Sequence, residues 1–149
     1  MFKLVFEIPN DYGHFLKDIL QCININEYVW KIGETTEILV SDTNENLFEN
    51  NLYKGNEFAM LIDGLSYVIF ADIKAYSYPQ SEKLPTSNFD SNSYQFSLIV
   101  VDCSSVEIYS NNLYIIELFK SRISCNTSTF ILTEIDAINP SSVIDPRLR

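Results

Sequence analysis

The sequence predicts an α+β fold: a single domain with a mainly antiparallel sheet and two principal helices packed on it. Three observations support this class. β-Rich segments outnumber helical ones, neighbouring β-rich segments are joined mostly by short turns, and two segments carry apolar residues at helical spacing. A chain of 149 residues is the length of one domain, so we assign residues 1–149 to it and expect 137–149 to be a frayed tail.

The first predicted elements are a strand and a helix. FKLVFEI (2–8) alternates loosely between apolar and polar residues, which favours a strand, and Pro9-Asn10-Asp11 ends it. The next apolar residues recur at helical spacing and predict a helix over 10–22 with a stripe of Tyr12, Phe15, Leu16, Ile19 and Leu20. His14 is the one histidine of the chain, and it falls on the opposite side of this helix. We therefore expect a solvated imidazole and not a catalytic one.

Two short β-rich segments follow the first helix. EYVWKI (27–32) and TTEILV (35–40) are separated by Gly33-Glu34, which predicts a β-hairpin with Trp30 in the core. Residues 41–57 are polar, rich in asparagine and acidic. Within them, Leu47, Phe48 and Leu52 suggest a short helix in a long connection. FAMLIDG (58–64) fits either a helical turn or a strand.

The segment SYVIFADIKAYS (66–77) predicts a strand with Tyr67, Ile69, Ala71 and Ile73 on one side. Residues 77–93 hold two of the five prolines and a dense cluster of serine and asparagine. Long connections of this kind are uncommon in compact domains and are either functional or disordered.

The last third of the chain predicts three strands and a helix. YQFSLIVVD (94–102) is apolar on both faces and indicates a central strand, and SVEIYS (105–110) indicates another short strand or a turn. NNLYIIELFKSRIS (111–124) predicts a helix with the apolar stripe Ile115, Ile116, Phe119 and Ile123. TSTFILTEID (127–136) predicts the last strand.

The residues that most small enzymes need are absent from the sequence. It has no P-loop, GxGxxG, HExxH or GxSxG motif, and one histidine excludes multi-histidine metal sites. Cys22, Cys103 and Cys125 form no CxxC pair, and each follows apolar residues, so we expect small buried side chains. DTNENLFEN (42–50) has oxygen ligands but lacks the glycine and final glutamate of a calcium loop. We therefore predict no catalytic residue, no cofactor and no metal.

The net charge of −10 is distributed unevenly along the chain. Residues 34–63 contain seven acidic residues against Lys54 alone, which gives −6. A field of this sign repels phosphate, so we expect no nucleic-acid partner. A basic protein or a divalent cation would be compatible with it, and so would a solvated face that only keeps the protein soluble. The apolar runs are too short to span a bilayer, and the N-terminus lacks a signal-peptide pattern, so we expect a cytoplasmic protein without membrane contact.

These observations favour a non-enzymatic acidic module that binds another protein. The predicted partner-binding residues in the acidic segment are Glu34, Glu37, Asp42, Glu45 and Glu49. Tyr76, Tyr78 and Phe89, around the long loop, form either an exposed aromatic patch or part of the core. The alternative function is a small-molecule binder or small enzyme with a cleft under loop 77–93.

Two family resemblances accompany these predictions. FEIPNDYGHFLKDIL, INEYVWKI and SLIVVDCSSVEIYSNNLYIIELF resemble a family of short, functionally uncharacterised proteins from spore-forming Gram-positive bacteria, over most of residues 2–119. More distantly, IPNDYGHFL (8–16) and IVVDCSSVEIYSNN (99–112) resemble the SUKH immunity superfamily. That resemblance implies a non-enzymatic protein that binds and neutralises a toxin domain. The glycine pair that usually follows the first helix of that superfamily is replaced here by Cys22-Ile23-Asn24.

Overall fold

The computed structural model describes residues 1–77, 94–125 and 131–137, the last range by its backbone. Its strands are β1 (Phe2–Glu7), β2 (Tyr28–Ile32), β3 (Glu37–Val40), β4 (Leu52–Lys54), β5 (Ser66–Ser77), β6 (Phe96–Val101), β7 (Ser105–Ser110) and β8 (Ile131–Ala137). Its helices are α1 (Phe15–Leu20), α2 (Gly55–Leu61) and α3 (Leu113–Cys125), and a 3₁₀ turn, η1, spans Ile25–Glu27. Residues 78–93, 127–130 and 138–149, on which the long loop, the start of the last strand and the tail were predicted, lie outside the described residues.

The strands form one large antiparallel sheet in the order β4-β2-β5-β6-β7-β1-β8, and β3 pairs with β5 beside this path. Each described strand pairing is antiparallel. The predicted α+β class, an antiparallel sheet with helices packed on it, is confirmed.

One face of the sheet, which we call the inner face, forms the core. A row of paired residues crosses five strands there and is buried throughout: Leu4, Ile108, Leu98, Ile73 and Ile32. The helices cover this face. The predicted stripe of α3 is confirmed, because all four of its residues are buried. Trp30 is fully buried, as predicted, and stacks on Phe58 of α2 with ring centres 4.2 Å apart. The opposite side of the sheet is called the outer face.

The predicted hairpin of 27–32 and 35–40 is wrong. β2 pairs with Ile73–Ser77 of β5, and β3 pairs antiparallel with Ser66–Phe70 of the same strand. The two segments therefore lie end to end along one edge of β5. Gly33 donates its backbone N–H to the Asp72 carbonyl oxygen at 2.8 Å, which holds the connection against this edge without reversing the chain. The long strand offers hydrogen-bond partners to both segments, so neither needs the other.

The predicted strand at 66–77 is confirmed, but the side assigned to its first residues is wrong. Glu37 pairs with Phe70 and Ile38 pairs with Val68, so Ile69 is the extra residue of a β-bulge. A bulge moves the following side chains to the other face. Val68 and Ala71 are therefore both in the core although they are three residues apart, and Phe70 is 40% exposed.

Two helix predictions also need correction. The helix predicted over 10–22 is the shorter α1, because Gly13 instead forms a two-way backbone bridge with Ser66 of β5. Tyr12 precedes the helix and is exposed, whereas the four apolar residues of α1 are buried. The short helix suggested around Leu47 and Phe48 is absent, and α2 begins at Gly55 instead.

Candidate functional site

The acidic residues 34–49 belong to a compact unit at the edge of the sheet, the acidic lobe (residues 33–51). β3 turns back at 41–46, and two backbone bonds close the turn, Val40 N to Glu45 O at 2.9 Å and Leu47 N to Ile38 O at 2.6 Å. The hydroxyl of Thr36 donates to the Asp72 carbonyl at 3.3 Å and accepts from the Asp72 N–H at 3.0 Å. The lobe is therefore tied both to itself and to β5.

The structure brings the five predicted acidic residues together in this lobe. All five side chains are exposed: Glu34, Glu37, Asp42, Glu45 and Glu49. Residues 33–51 contain no lysine or arginine, so the lobe carries a formal charge of −5. Exposed carboxylates that lie close together produce a negative potential around them.

An aromatic side chain anchors the lobe to the core. Phe48 is 8% exposed, and its ring stacks on Phe58 with centres 5.7 Å apart. The hydroxyl of Tyr53 accepts the N–H groups of Glu49 and Asn50 at 3.0 and 2.8 Å. The carboxylate-bearing loop is thus held in one position relative to the sheet.

A polar pocket of about 350 Å³ separates the two halves of the lobe. It lies between the turn at Gly33–Thr36 and the loop at Asn46–Asn51. Glu34 of the turn and Glu49 of the loop both line it. Its other polar groups include the amides of Asn46 and Asn50. Amide oxygens and carboxylates accept hydrogen bonds, so the lining suits a cationic group.

An apolar groove of about 380 Å³ lies next to the lobe on the outer face of the sheet. Phe70, Ile99 and Val101 supply its apolar walls, while Thr35 of the lobe and Asp72 also line it. Glu37 is the cross-strand neighbour of Phe70, so an exposed carboxylate stands directly beside the groove. Sequence reasoning missed this groove because its walls come from two strands, β5 and β6, and only their pairing brings those walls together.

A row of polar residues crosses the outer face one step from the groove. Lys31 pairs with Lys74, Lys74 with Ser97, and Ser97 with Tyr109. Lys74 is only 8% exposed and Ser97 only 2%. The ammonium of Lys74 lies 5.7 Å from the centre of the Tyr94 ring. Sequence spacing did not reveal this row, because its members come from four strands.

Comparison with known proteins places the chain in a family. Residues 1–141 match the family described as protein of unknown function DUF2691. The chain belongs to the DUF2691 family. An uncharacterised protein of Bacillus subtilis strain 168, YncE, is 31% identical to this DUF2691 member over 118 residues, which cover 75% of this chain and 77% of YncE. No solved structure matches the chain.

The DUF2691 match confirms the resemblance to uncharacterised proteins of Gram-positive bacteria. It indicates no specific function. Among the helices of the described residues, none is long and apolar enough to cross a membrane.

The remaining candidate residues of this DUF2691 member lie apart from the lobe. His14 is exposed, as predicted, and its Nδ1 lies 3.2 Å from the carbonyl oxygen of Asp63. The carboxylate of Asp63 binds Lys17 at 2.7 Å, and this hydrogen bond lowers the pKa of Asp63. In the part of the chain that the structure describes, no three His, Cys, Asp or Glu side chains are grouped to hold a metal ion.

The cysteines only partly follow the expectation of burial. Cys125 is exposed, so the expectation is wrong there, since the residue ends α3 beyond the buried stripe. Cys22 and Cys103 are half-buried. Burial raises the pKa of the Cys22 thiol to about 11. Cys103 adopts a φ of 68° in the turn between β6 and β7.

The predicted aromatic residues around the long loop separate into two groups. Tyr76 is 2% exposed and packs edge-on against Tyr94 with ring centres 6.5 Å apart. Of the two predicted alternatives, an exposed patch or part of the core, the structure shows the buried one for Tyr76, and its ring offers a partner almost no surface. Tyr78 and Phe89 lie outside the described residues.

Proposed function

We propose that the protein is a non-enzymatic binding module that docks a basic segment of another protein onto the acidic lobe and the apolar groove beside it. The observation that carries this proposal is their contiguity: Thr35 lines the groove and belongs to the lobe, and Glu37 neighbours Phe70. Protein interfaces combine an apolar anchor with surrounding polar and charged contacts, and both parts are present side by side.

The groove supplies the anchor. Its volume of about 380 Å³ and its walls of Phe70, Ile99 and Val101 suit one or two aliphatic or aromatic side chains of a partner. Phe70 is 40% exposed on a strand whose inner face is buried, so covering it removes apolar surface from water.

The carboxylates supply the charge complementarity. Glu37 pairs with Phe70 at one side of the groove. At the other side, Val101 pairs with Ser105, and Ser105 pairs with Glu7. Both glutamates are exposed. A partner segment with lysine or arginine on either side of an apolar residue matches this arrangement, whereas a second copy of a chain with net charge −10 is repelled.

The resemblance of IPNDYGHFL and IVVDCSSVEIYSNN to the SUKH superfamily supports an immunity-like form of this function, in which the bound partner is a toxin domain. We place the protein in the cytoplasm, a reducing compartment that suits its three free thiols.

Small-molecule binding is the second candidate, and a specific observation favours it. Lys74 and Ser97 of the outer-face row are buried polar groups. Burial of a polar group is unfavourable unless a partner binds it, and a bound ligand would be such a partner. The segment that was expected to cover a cleft, 78–93, lies outside the described residues, so this candidate rests on the row alone.

The docking proposal is tested with displayed 12-residue peptides selected on the wild-type protein, followed by association kinetics at several salt concentrations. We expect peptides that combine lysine or arginine with an apolar residue. Their on-rate should fall by up to about tenfold at low salt in Glu34→Gln/Glu37→Gln, because steering by the lobe weakens. The control variant Glu27→Gln/Glu117→Gln removes two exposed carboxylates elsewhere and should leave the on-rate near the wild-type value.

A third variant separates anchoring from steering. Phe70→Ala should raise the off-rate and leave the salt dependence unchanged, because it removes apolar contact without altering charge. Selected peptides without positive charge, or equal kinetics in the lobe variant and its control, would rule out the acidic lobe as the docking surface.

A further inference from the structure

We propose that the outer face of the sheet holds a binding site for a small oxyanion, a phosphate or carboxylate group, centred on Lys74 and Ser97 with Lys31 beside them. This inference rests on the second candidate function, small-molecule binding, and is independent of the docking proposal, since it uses different residues and the opposite charge. Three structural features, each unfavourable in the protein alone, are explained together by one bound anion.

The first feature is the burial of Lys74. Its side chain is 8% exposed, and no carboxylate of the described residues forms an ion pair with it. Taking an ammonium out of water is strongly unfavourable unless a charge or hydrogen-bond acceptors compensate it. The Tyr94 ring at 5.7 Å lies near the outer limit of about 6 Å for a cation–π contact, so it offsets only part of that cost.

The second feature is the pairing of two lysines. Lys31 stands directly opposite Lys74 on neighbouring antiparallel strands, so both side chains project from the outer face. Like charges in this relation are destabilising. The chain has twenty acidic residues and only ten basic ones, yet this position carries two cations side by side. An anion between them turns the repulsion into two attractive contacts.

The third feature is a hydroxyl group without a partner. The Oγ of Ser97 is buried and makes no hydrogen bond to any described residue, and Ser97 is the cross-strand neighbour of Lys74 on the other side. Buried polar groups normally have a partner, and each exception needs an explanation. A serine hydroxyl and an ammonium are both donors toward an oxyanion, so the same ligand satisfies both.

The three residues form one cross-strand row on neighbouring strands β2, β5 and β6, which lie about 4.8 Å apart, with Lys74 between Lys31 and Ser97. The burial of Lys74 excludes a phosphate within a nucleic-acid backbone, because the flanking sugars and bases could not follow the phosphate into the site. The ligand is therefore a small molecule or a free anion.

The test measures thermal stability and calorimetric binding of the full chain with sodium phosphate and with sodium acetate, at ionic strength matched with sodium chloride. We expect at least one of the two anions to raise the melting temperature above the chloride value. The two salts distinguish a phosphoryl ligand from a carboxylate ligand. Ser97→Ala and Lys31→Gln should each weaken the affinity by about ten- to a hundredfold, as for the loss of one hydrogen bond to a charged group.

Lys74→Met provides the decisive comparison. Without added anion it should melt at a higher temperature than the wild type, because it removes a buried charge that no described carboxylate pairs with, and it should no longer respond to phosphate or acetate. Lys120→Met, on α3, is the matched control and should retain the wild-type response. Two results would overturn the proposal. One is a wild-type melting temperature that no anion raises, and the other is an anion-dependent shift in Lys74→Met and in Ser97→Ala that equals the wild-type shift. If Lys74→Met does not fold, Ser97→Ala and Lys31→Gln decide the outcome.

Discussion

Replacing Phe48 by alanine should detach the acidic lobe from the core. A Phe→Ala change at a buried site costs about 3–5 kcal/mol. The ring of Phe48 is 8% exposed, stacks on Phe58 and is tilted against Tyr53 at 5.5 Å between centres. The surrounding loop can collapse partly into the space left behind, so we expect a loss near the lower limit, about 3 kcal/mol in the free energy of unfolding. That loss is a large fraction of the 5–15 kcal/mol typical of a domain.

Urea unfolding followed by tryptophan fluorescence measures this loss. Trp30 is the only tryptophan of the chain and is fully buried, so its emission reports the core. Phe70→Ala is the control, because the same atoms are removed from a side chain that is 40% exposed, so its loss should be smaller than that of Phe48→Ala. Equal losses in the two variants, or a loss below 1 kcal/mol in Phe48→Ala, would refute the assignment of Phe48 as the anchor of the lobe.

Three further predictions concern the backbone and the thiols. Gly55→Ala should lower the free energy of unfolding by about 1–3 kcal/mol, since an added Cβ would lie 2.5 Å from a backbone oxygen of η1. Gly64→Ala, whose Cβ meets nothing within 4 Å, is its control in the same urea experiment, and similar losses would contradict the clash. Cys103→Gly should raise the free energy of unfolding by about 1 kcal/mol, because glycine adopts the φ of 68° without strain; unchanged or lower stability would refute this. Cys22, with a pKa raised to about 11, should react with iodoacetamide at pH 8 more slowly than exposed Cys125, and its rate should rise with pH through that value. Equal labelling of the two peptides in mass spectrometry would contradict the burial of Cys22.

Local periodicity was sufficient to predict the elements that bury one continuous apolar face. The strand at 66–77 and the stripe of α3 were identified from the spacing of their apolar residues, and the strand at 94–102 from apolar residues on both faces. Such spacing is visible in sequence because a buried face repeats every 2 residues in a strand and every 3.6 in a helix. The concentration of charge in 34–63 needed no structure either, because the five acidic residues of the lobe lie within sixteen positions of one another.

The helix boundaries depended on contacts that are distant in sequence. Gly13 is bridged to Ser66, so α1 begins only at Phe15 although the apolar spacing starts at Tyr12. Gly55 permits the close approach of α2 to η1, with no apolar pattern to mark it. Helix propensity and spacing describe what a segment can form, whereas tertiary contacts select where it starts.

The sequence by itself therefore determined the fold class, the apolar core face and the acidic segment, because each depends on the order of residue types along one stretch of chain. Only the tertiary structure decided that β2 and β3 share one edge of β5, that the bulge at Ile69 brings Val68 into the core, and that Lys31 faces Lys74. Strand pairing and register are set by backbone hydrogen bonds between segments far apart in sequence, and a shift of one residue exchanges the two faces of a strand. Both the apolar groove and the lysine row are products of that register, which is why neither could be found before the strands were paired.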